Sequence, residues 1–143
     1  MPNKKAAQPI DALVSDLQLG KDFQEACAIL DESPRMSAVL SRRILADLLK
    51  QYAGLNDKRL AERIDKFIAD NQHPSRLRDN LHYLREIGDF GAHTMEDDQG
   101  HIVDLEREDA GWTLKIVTDL FDYFIIAPEK DKAQRESFDK KLQ

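Results

Sequence analysis

Ser33–Gly54 reads SPRMSAVLSRRILADLLKQYAG. Met36, Val39, Leu40, Ile44, Leu48 and Tyr52 recur at helical spacing, and Leu45 and Leu49 widen the stripe. An apolar face of that width predicts a central helix contacted on two sides. The ends carry their own signals. Ser33 before Pro34 places an N-cap ahead of a residue whose missing N–H is harmless in a first turn. Gly54 supplies the stop.

Outward toward the start, residues 22–32 (DFQEACAILDE) space Phe23, Ala26, Cys27 and Leu30 as one helical face. A break is expected at Gly20, with a weak helix over 10–19 before it. Toward the other end, Asn56 is expected to cap DKRLAERIDKFIAD, with Leu60, Ile64, Phe67 and Ile68 inward. A further helix starts at Pro74 or Ser75, buries Leu77, Leu81, Leu84 and Ile87, and ends or bends at Gly88. Residues 94–105 read as a polar loop with a short extended piece at His101–Leu105. A long helix follows over 106–126, with Ala110, Leu114, Val117, Leu120, Phe121, Phe124 and Ile125 as its core face. Trp112, Ile116, Tyr123 and Ile126 form a second apolar edge, which belongs either to a deeply central helix or to a homodimer interface. Pro128 is expected to end this helix, leaving a charged tail or final helix with Phe138 and Leu142 spaced for weak docking. With strand signals nearly absent, the pattern predicts an all-α bundle of five to six helices. The division is a leader with a weak helix over 1–20, a helical domain over 21–127, and a charged tail or helix over 128–143.

The 143 residues suffice for one domain with a real core. A single cysteine, Cys27, excludes an internal disulfide, and its apolar neighbours suit a reduced core residue. The opening MPNKKAAQPIDALVSDLQ lacks a secretory apolar stretch, and no run is long enough to span a membrane, so a cytoplasmic protein is expected. The net charge of −6 argues against a general nucleic-acid binder. It hides an asymmetry: residues 35–85 hold eleven bases and six acids, whereas residues 86–143 hold seven bases and fifteen acids. The middle of the chain can therefore carry a basic face.

The segment with most chemistry is Leu84–His93, LREIGDFGAH. Unbroken helix would hold Arg85 and His93 roughly 12 Å apart. A reversal at Gly88–Gly91 would instead bring together a permanent cation, a carboxylate at Asp89 and an imidazole. Such a set suits phosphodiester cleavage, the cation stabilising charge on phosphorus while the imidazole moves protons. A purely structural role competes, with Arg85 complementing its helix dipole and Asp89 and His93 closing a turn.

SPRMSAVLSRRILADLL, LREIGDFGAHTMED and EDAGWTLKIVTDLFDYF together resemble the bacterial domain-of-unknown-function family 4145, allied to the HEPN helical superfamily. The resemblance covers about residues 22–126. Its most specific part is an Arg–x–x–Gly–Asn–x–x–Ala–His pattern, met here as Arg85, Gly88, Asp89, Ala92 and His93, with Asp in place of Asn. Arg42-Arg43 also matches, and Ala46 stands where many relatives carry an acid. The resemblance implies a HEPN-like bundle, often dimeric. It implies one of three roles: a non-catalytic interaction or regulatory module in a phage-defence or RNA-linked system, a metal-independent ribonuclease, or a small-ligand or nucleotide sensor. In the ribonuclease reading Arg85 is the phosphate-stabilising cation and His93 the general acid/base. Seven residues separate the two, more than the four to six of the active signature.

Three further patterns are weaker. Arg76 and His82 have the signature spacing but lie mid-helix, where a half-buried His82 is expected. His93, Glu96, Asp97, Asp98, His101 and Asp104 share a loop, yet their spacing fits no closed metal site, and neither metal nor cofactor is expected. Arg42, Arg43, Lys58, Arg59, Arg63, Lys66, Arg76, Arg78 and Arg85 could frame a groove for RNA, with Arg42, Arg43, Arg76 and Arg78 as its leading contacts. No aromatic platform interleaves them, which disfavours sequence-specific reading of single strands. The partners expected are thus a second copy of the chain, a protein of a defence system, or RNA.

Overall fold

The computed structural model of the protein describes residues 17–87, 95–96, 102–103 and 107–143. Helix α1 spans Leu17–Ile29, α2 Pro34–Ala53, α3 Leu60–Ala69 and α4 Ser75–Ile87. A two-residue antiparallel pair follows, Met95–Glu96 against Ile102–Val103. Helix α5 covers Arg107–Phe121, and one π-helical turn at Asp122–Ile126 carries it into α6, Ala127–Leu142. The chain is an all-α helical bundle.

Helix α2 is the central element, packed against α1, α3 and α5. Its limits are those the sequence predicts. The Ser33 hydroxyl accepts the Met36 N–H at 3.3 Å, and Pro34 occupies the first turn. Gly54 adopts the left-handed conformation (φ 70°), and the N–H groups of Gly54 and Leu55 both turn back to the Leu49 carbonyl. The buried face differs from the expected stripe. It consists of Ser37, Ala38, Ser41, Ile44, Leu45, Leu48 and Leu49, while Met36 and Tyr52 stay exposed. The small residues in its first half permit α1 to approach closely, and the Ser37 hydroxyl donates to the Ala26 carbonyl at 2.7 Å across the contact. Phe23 of α1 meets Phe121 of α5 edge to face, with ring centroids 5.3 Å apart.

Three boundaries depart from expectation. Gly20 breaks nothing; it lies buried inside α1, beside Leu19 and Phe23, both in the core. A helical glycine costs about 1 kcal/mol against alanine. Burying Leu19 and Phe23 returns roughly 2 kcal/mol each. Asn56 caps no helix, because α3 begins at Leu60 and the preceding residues serve α2–α3 contacts described below. Pro128 does not end the long helix. The π turn before it has already widened the register, with the Ala127 N–H donating to the Asp122 carbonyl, and a wider turn tolerates a residue without an N–H. Helix α6 thus continues to Leu142 with none of its residues buried, and Phe138 and Leu142 stay exposed.

The second apolar edge of α5 is covered by the chain itself. Ile116 and Ile126 are in the core, Trp112 packs against Tyr83 with centroids 4.4 Å apart, and Tyr123 meets His73. Ile116 and Ile126 thus face the core, and Trp112 and Tyr123 are partly buried. Among the described residues no helix is long and apolar enough to cross a membrane.

Candidate functional site

Arg42 and Arg43 follow Val39 and precede Ala46 on α2, so these four line one side of a cleft of about 860 Å³. Lys58 and Arg59, from the α2–α3 connection, form the opposite wall with Leu60 and Ala61. Arg85, in the last turn of α4, closes one end. Among the described residues, five cations and no acid line the cleft. The first turn of α3 opens there too. Its N-cap is Arg59, which makes no side-chain capping bond, and Leu60 and Ala61 of this ten-residue helix line the cleft. Oriented amides and guanidinium groups around one depression bind phosphate or carboxylate.

Two of the cations are held in place by acids behind them. Asp22 of α1 is buried; its Oδ1 accepts from Gln18 Nε2 at 2.8 Å, and its Oδ2 lies 3.2 Å from Arg43 Nε. That second contact is an ion pair without good hydrogen-bond alignment. Arg85 Nε approaches Asp65 Oδ1 at 3.1 Å, with both side chains about half exposed. Exposed pairs of this kind are worth about 0–1 kcal/mol, so a phosphate can displace Asp65.

Arg63 sets the cleft's width without entering it. Its Nε donates to the Asp57 carbonyl at 2.6 Å and its Nη1 to the Ala46 carbonyl at 2.9 Å, tying α3 and the α2–α3 connection to α2. Lys66 Nζ holds Asp57 Oδ1 at 2.8 Å, and this hydrogen bond is the main reason the Asp57 carboxyl titrates below its ordinary 3.8.

The remaining predicted cations lie elsewhere. Arg78 Nε donates to the Ile68 carbonyl at 2.9 Å, and Arg76 Nη1 lies 3.4 Å from Asp119 Oδ2, an acid that Lys115 also approaches. The structure therefore brings Arg42, Arg43, Lys58, Arg59 and Arg85 together and leaves Arg76 and Arg78 outside. Arg76 does not meet His82 either, since they stand six positions apart on one helix and so roughly 120° apart around its axis. His82 is exposed, not half-buried, and lies 3.6 Å from Glu86. Asp89 and His93 lie outside the described residues, as do Asp97, Asp98, His101 and Asp104. Among the described residues no group of His, Cys, Asp and Glu is arranged to hold a metal.

One polar cluster escaped the sequence reading. His73, in the α3–α4 connection, stacks on Phe67 with centroids 4.0 Å apart and rings within 6° of parallel. Its Nδ1 shares a hydrogen bond with the Tyr123 hydroxyl at 2.8 Å, and its Nε2 lies 3.5 Å from Asp70 Oδ2. Burial, then the Asp70 charge, push the Tyr123 phenol above its ordinary 10.0. The only sequence signal was an aspartate three residues before a histidine, because the tyrosine is fifty residues away. The cluster fastens the α3–α4 connection to the π turn.

A family model described as "Domain of unknown function (DUF4145)" matches residues 24–141, and the chain belongs to that family. No curated protein and no solved structure matches it.

Proposed function

We propose that this DUF4145 domain is a HEPN-like interaction module of an RNA-linked bacterial defence system, and that its basic cleft holds the phosphate backbone of RNA. One observation carries the reading: five cations and an uncapped helix start converge on a cleft that no acid lines among the described residues, in a chain of net charge −6. Such a local excess would attract a polyanion in spite of the overall charge. The cleft has no aromatic lining, which favours contact with backbone over bases. The defence setting rests on the resemblance of LREIGDFGAH to the HEPN-allied pattern. A homodimer would present two clefts to one strand and raise its avidity.

Binding of a labelled single-stranded RNA, followed by fluorescence anisotropy, tests this reading. Lys58→Glu with Arg59→Glu should weaken binding by more than about thirtyfold while leaving the melting temperature within about 1 °C. Equal binding by the variant and the native chain overturns the reading. Competition by a nucleoside triphosphate as strong as that by RNA would reassign the cleft to a nucleotide.

A ribonuclease reading is favoured by the position of Arg85, which lines the cleft just before the segment bearing Asp89 and His93. RNA gripped there would lie close to a cation able to stabilise charge on phosphorus. Incubation with RNA in chelator, beside His93→Ala, decides it. Cleavage that disappears in the variant supports catalysis; no cleavage by the native chain, or equal cleavage by both, removes it.

A further inference from the structure

We infer that α6 is a dimerisation arm, and that its Phe138–Leu142 ridge seats in the apolar groove between α1 and α2 of a second copy of this chain.

The arm is an anomaly as a folded part. Sixteen helical residues leave the body at the π turn, and none is buried. Phe138 is 56% exposed and Leu142 85%, among the largest exposures of apolar side chains in the described residues. They stand four residues apart and so form one ridge. Arg135 precedes Phe138 by three residues and Lys141 follows it by three, which places one cation on either flank, each roughly 60° around the axis. The family match runs to residue 141, so the arm lies within the extent common to the family.

The body offers a counterpart of matching character. Ala28 and Ile29 of α1 and Met36 and Leu40 of α2 line a groove of about 440 Å³, and Met36 is 46% exposed. Glu25 and Glu32 complete the lining. Neither glutamate has an ion-pair partner among the described residues. Glu25 stands on α1 and Glu32 in the turn after it, while Arg135 and Lys141 are six residues apart on α6, roughly 9 Å along the helix. An apolar ridge flanked by two cations thus complements, in charge and character, an apolar groove bounded by two acids. The arm of the same chain is not in that groove, since nothing along it is buried.

A second copy carries one arm and one groove as well, so reciprocal exchange closes a two-fold dimer with two identical contacts. Continuity with α5, itself in the core, holds the arm helical before it docks, which lowers the ordering cost of association. The proposal needs no surface of the basic cleft and stands or falls apart from RNA binding.

Sedimentation equilibrium of the full chain without RNA is the test. The native chain should be dimeric at about 50 μM, and Phe138→Asp with Leu142→Asp should weaken the dimer by at least about a hundredfold, because each substitution counts at both contacts. These positions are exposed, so helical circular dichroism and melting of the variant monomer should report an intact fold. Glu25→Arg with Glu32→Arg should likewise dissociate the dimer, and adding Arg135→Glu with Lys141→Glu should restore it. A native chain that remains monomeric at about 200 μM overturns the proposal. So does a dimer indifferent to the Phe138 and Leu142 changes, or a charge swap that restores nothing.

Discussion

The basic cleft and the α3–α4–α5 corner use the same kinds of residue to opposite ends. In the corner, Arg78 is bound to the Ile68 carbonyl, Arg76 approaches Asp119, and His73 is engaged by Phe67, Tyr123 and Asp70. In the cleft, Arg43 and Arg85 are steadied through Nε by single acids, and five cations share a depression that no carboxylate lines among the described residues. What sets the cleft apart is convergence, since its cations share one depression whereas those of the corner are dispersed among acids and carbonyls. Changes in the corner should therefore affect stability and spare RNA binding, and changes in the cleft should do the reverse.

The largest effect is expected at His73. Its ring is mostly buried, stacked and hydrogen-bonded, so His73→Ala removes packing and strands the Tyr123 hydroxyl. A loss of about 2–3 kcal/mol follows, seen as a melting temperature lower by roughly 6–10 °C. RNA affinity measured below the transition should be unchanged. A binding loss without a stability loss would place His73 in the functional surface and break the contrast.

A smaller and opposite effect is expected at Ala46. Its side chain lines the cleft among the arginines, so Ala46→Glu puts a carboxylate beside them. RNA binding should weaken about tenfold, or roughly 1.4 kcal/mol, with melting changed by no more than about 2 °C. Undiminished affinity would mean that the strand does not pass along the α2 wall.

The smallest effect sharpens the boundary between the two regions, where Arg63 and Asp57 fix the cleft's wall. Asp57 titrates below 3.8 in the folded chain, so its contribution is present above that value and is lost as pH falls through the lowered one. Melting curves of the native chain and Asp57→Asn should differ at neutral pH and converge as the pH falls below 3.8. A difference that persists at the acid end would assign the effect to something other than the carboxylate.

Much of the fold was legible because its signals are local. Ser33-Pro34 and Gly54 bound α2 by capping chemistry that neighbouring residues determine. Leu77, Leu81 and Leu84 are buried as their spacing predicts. Where local signals failed, tertiary contacts outweighed them: Gly20 is kept helical by the packing of its neighbours, and Pro128 by a π turn. The face of α2 was misjudged toward its first half because Ser37 and Ser41 look polar in sequence, yet serve as small contacts for α1. The candidate site was legible as nine cations over residues 35–85 that could frame a groove, among them all five that line the cleft. Which of those cations converge depends on pairings such as Arg63 with Ala46 and Arg76 with Asp119, at separations that no helical period reveals.

The salt dependence of RNA binding tests the central claim most directly. Five phosphate contacts at roughly 0.7 counterions each give a slope of log K against log salt of about −3.5 between about 50 and 250 mM. Lys58→Glu with Arg59→Glu should flatten it by at least about 1.4. A native slope near zero, or an identical slope in the variant, would contradict a cleft that grips the phosphate backbone.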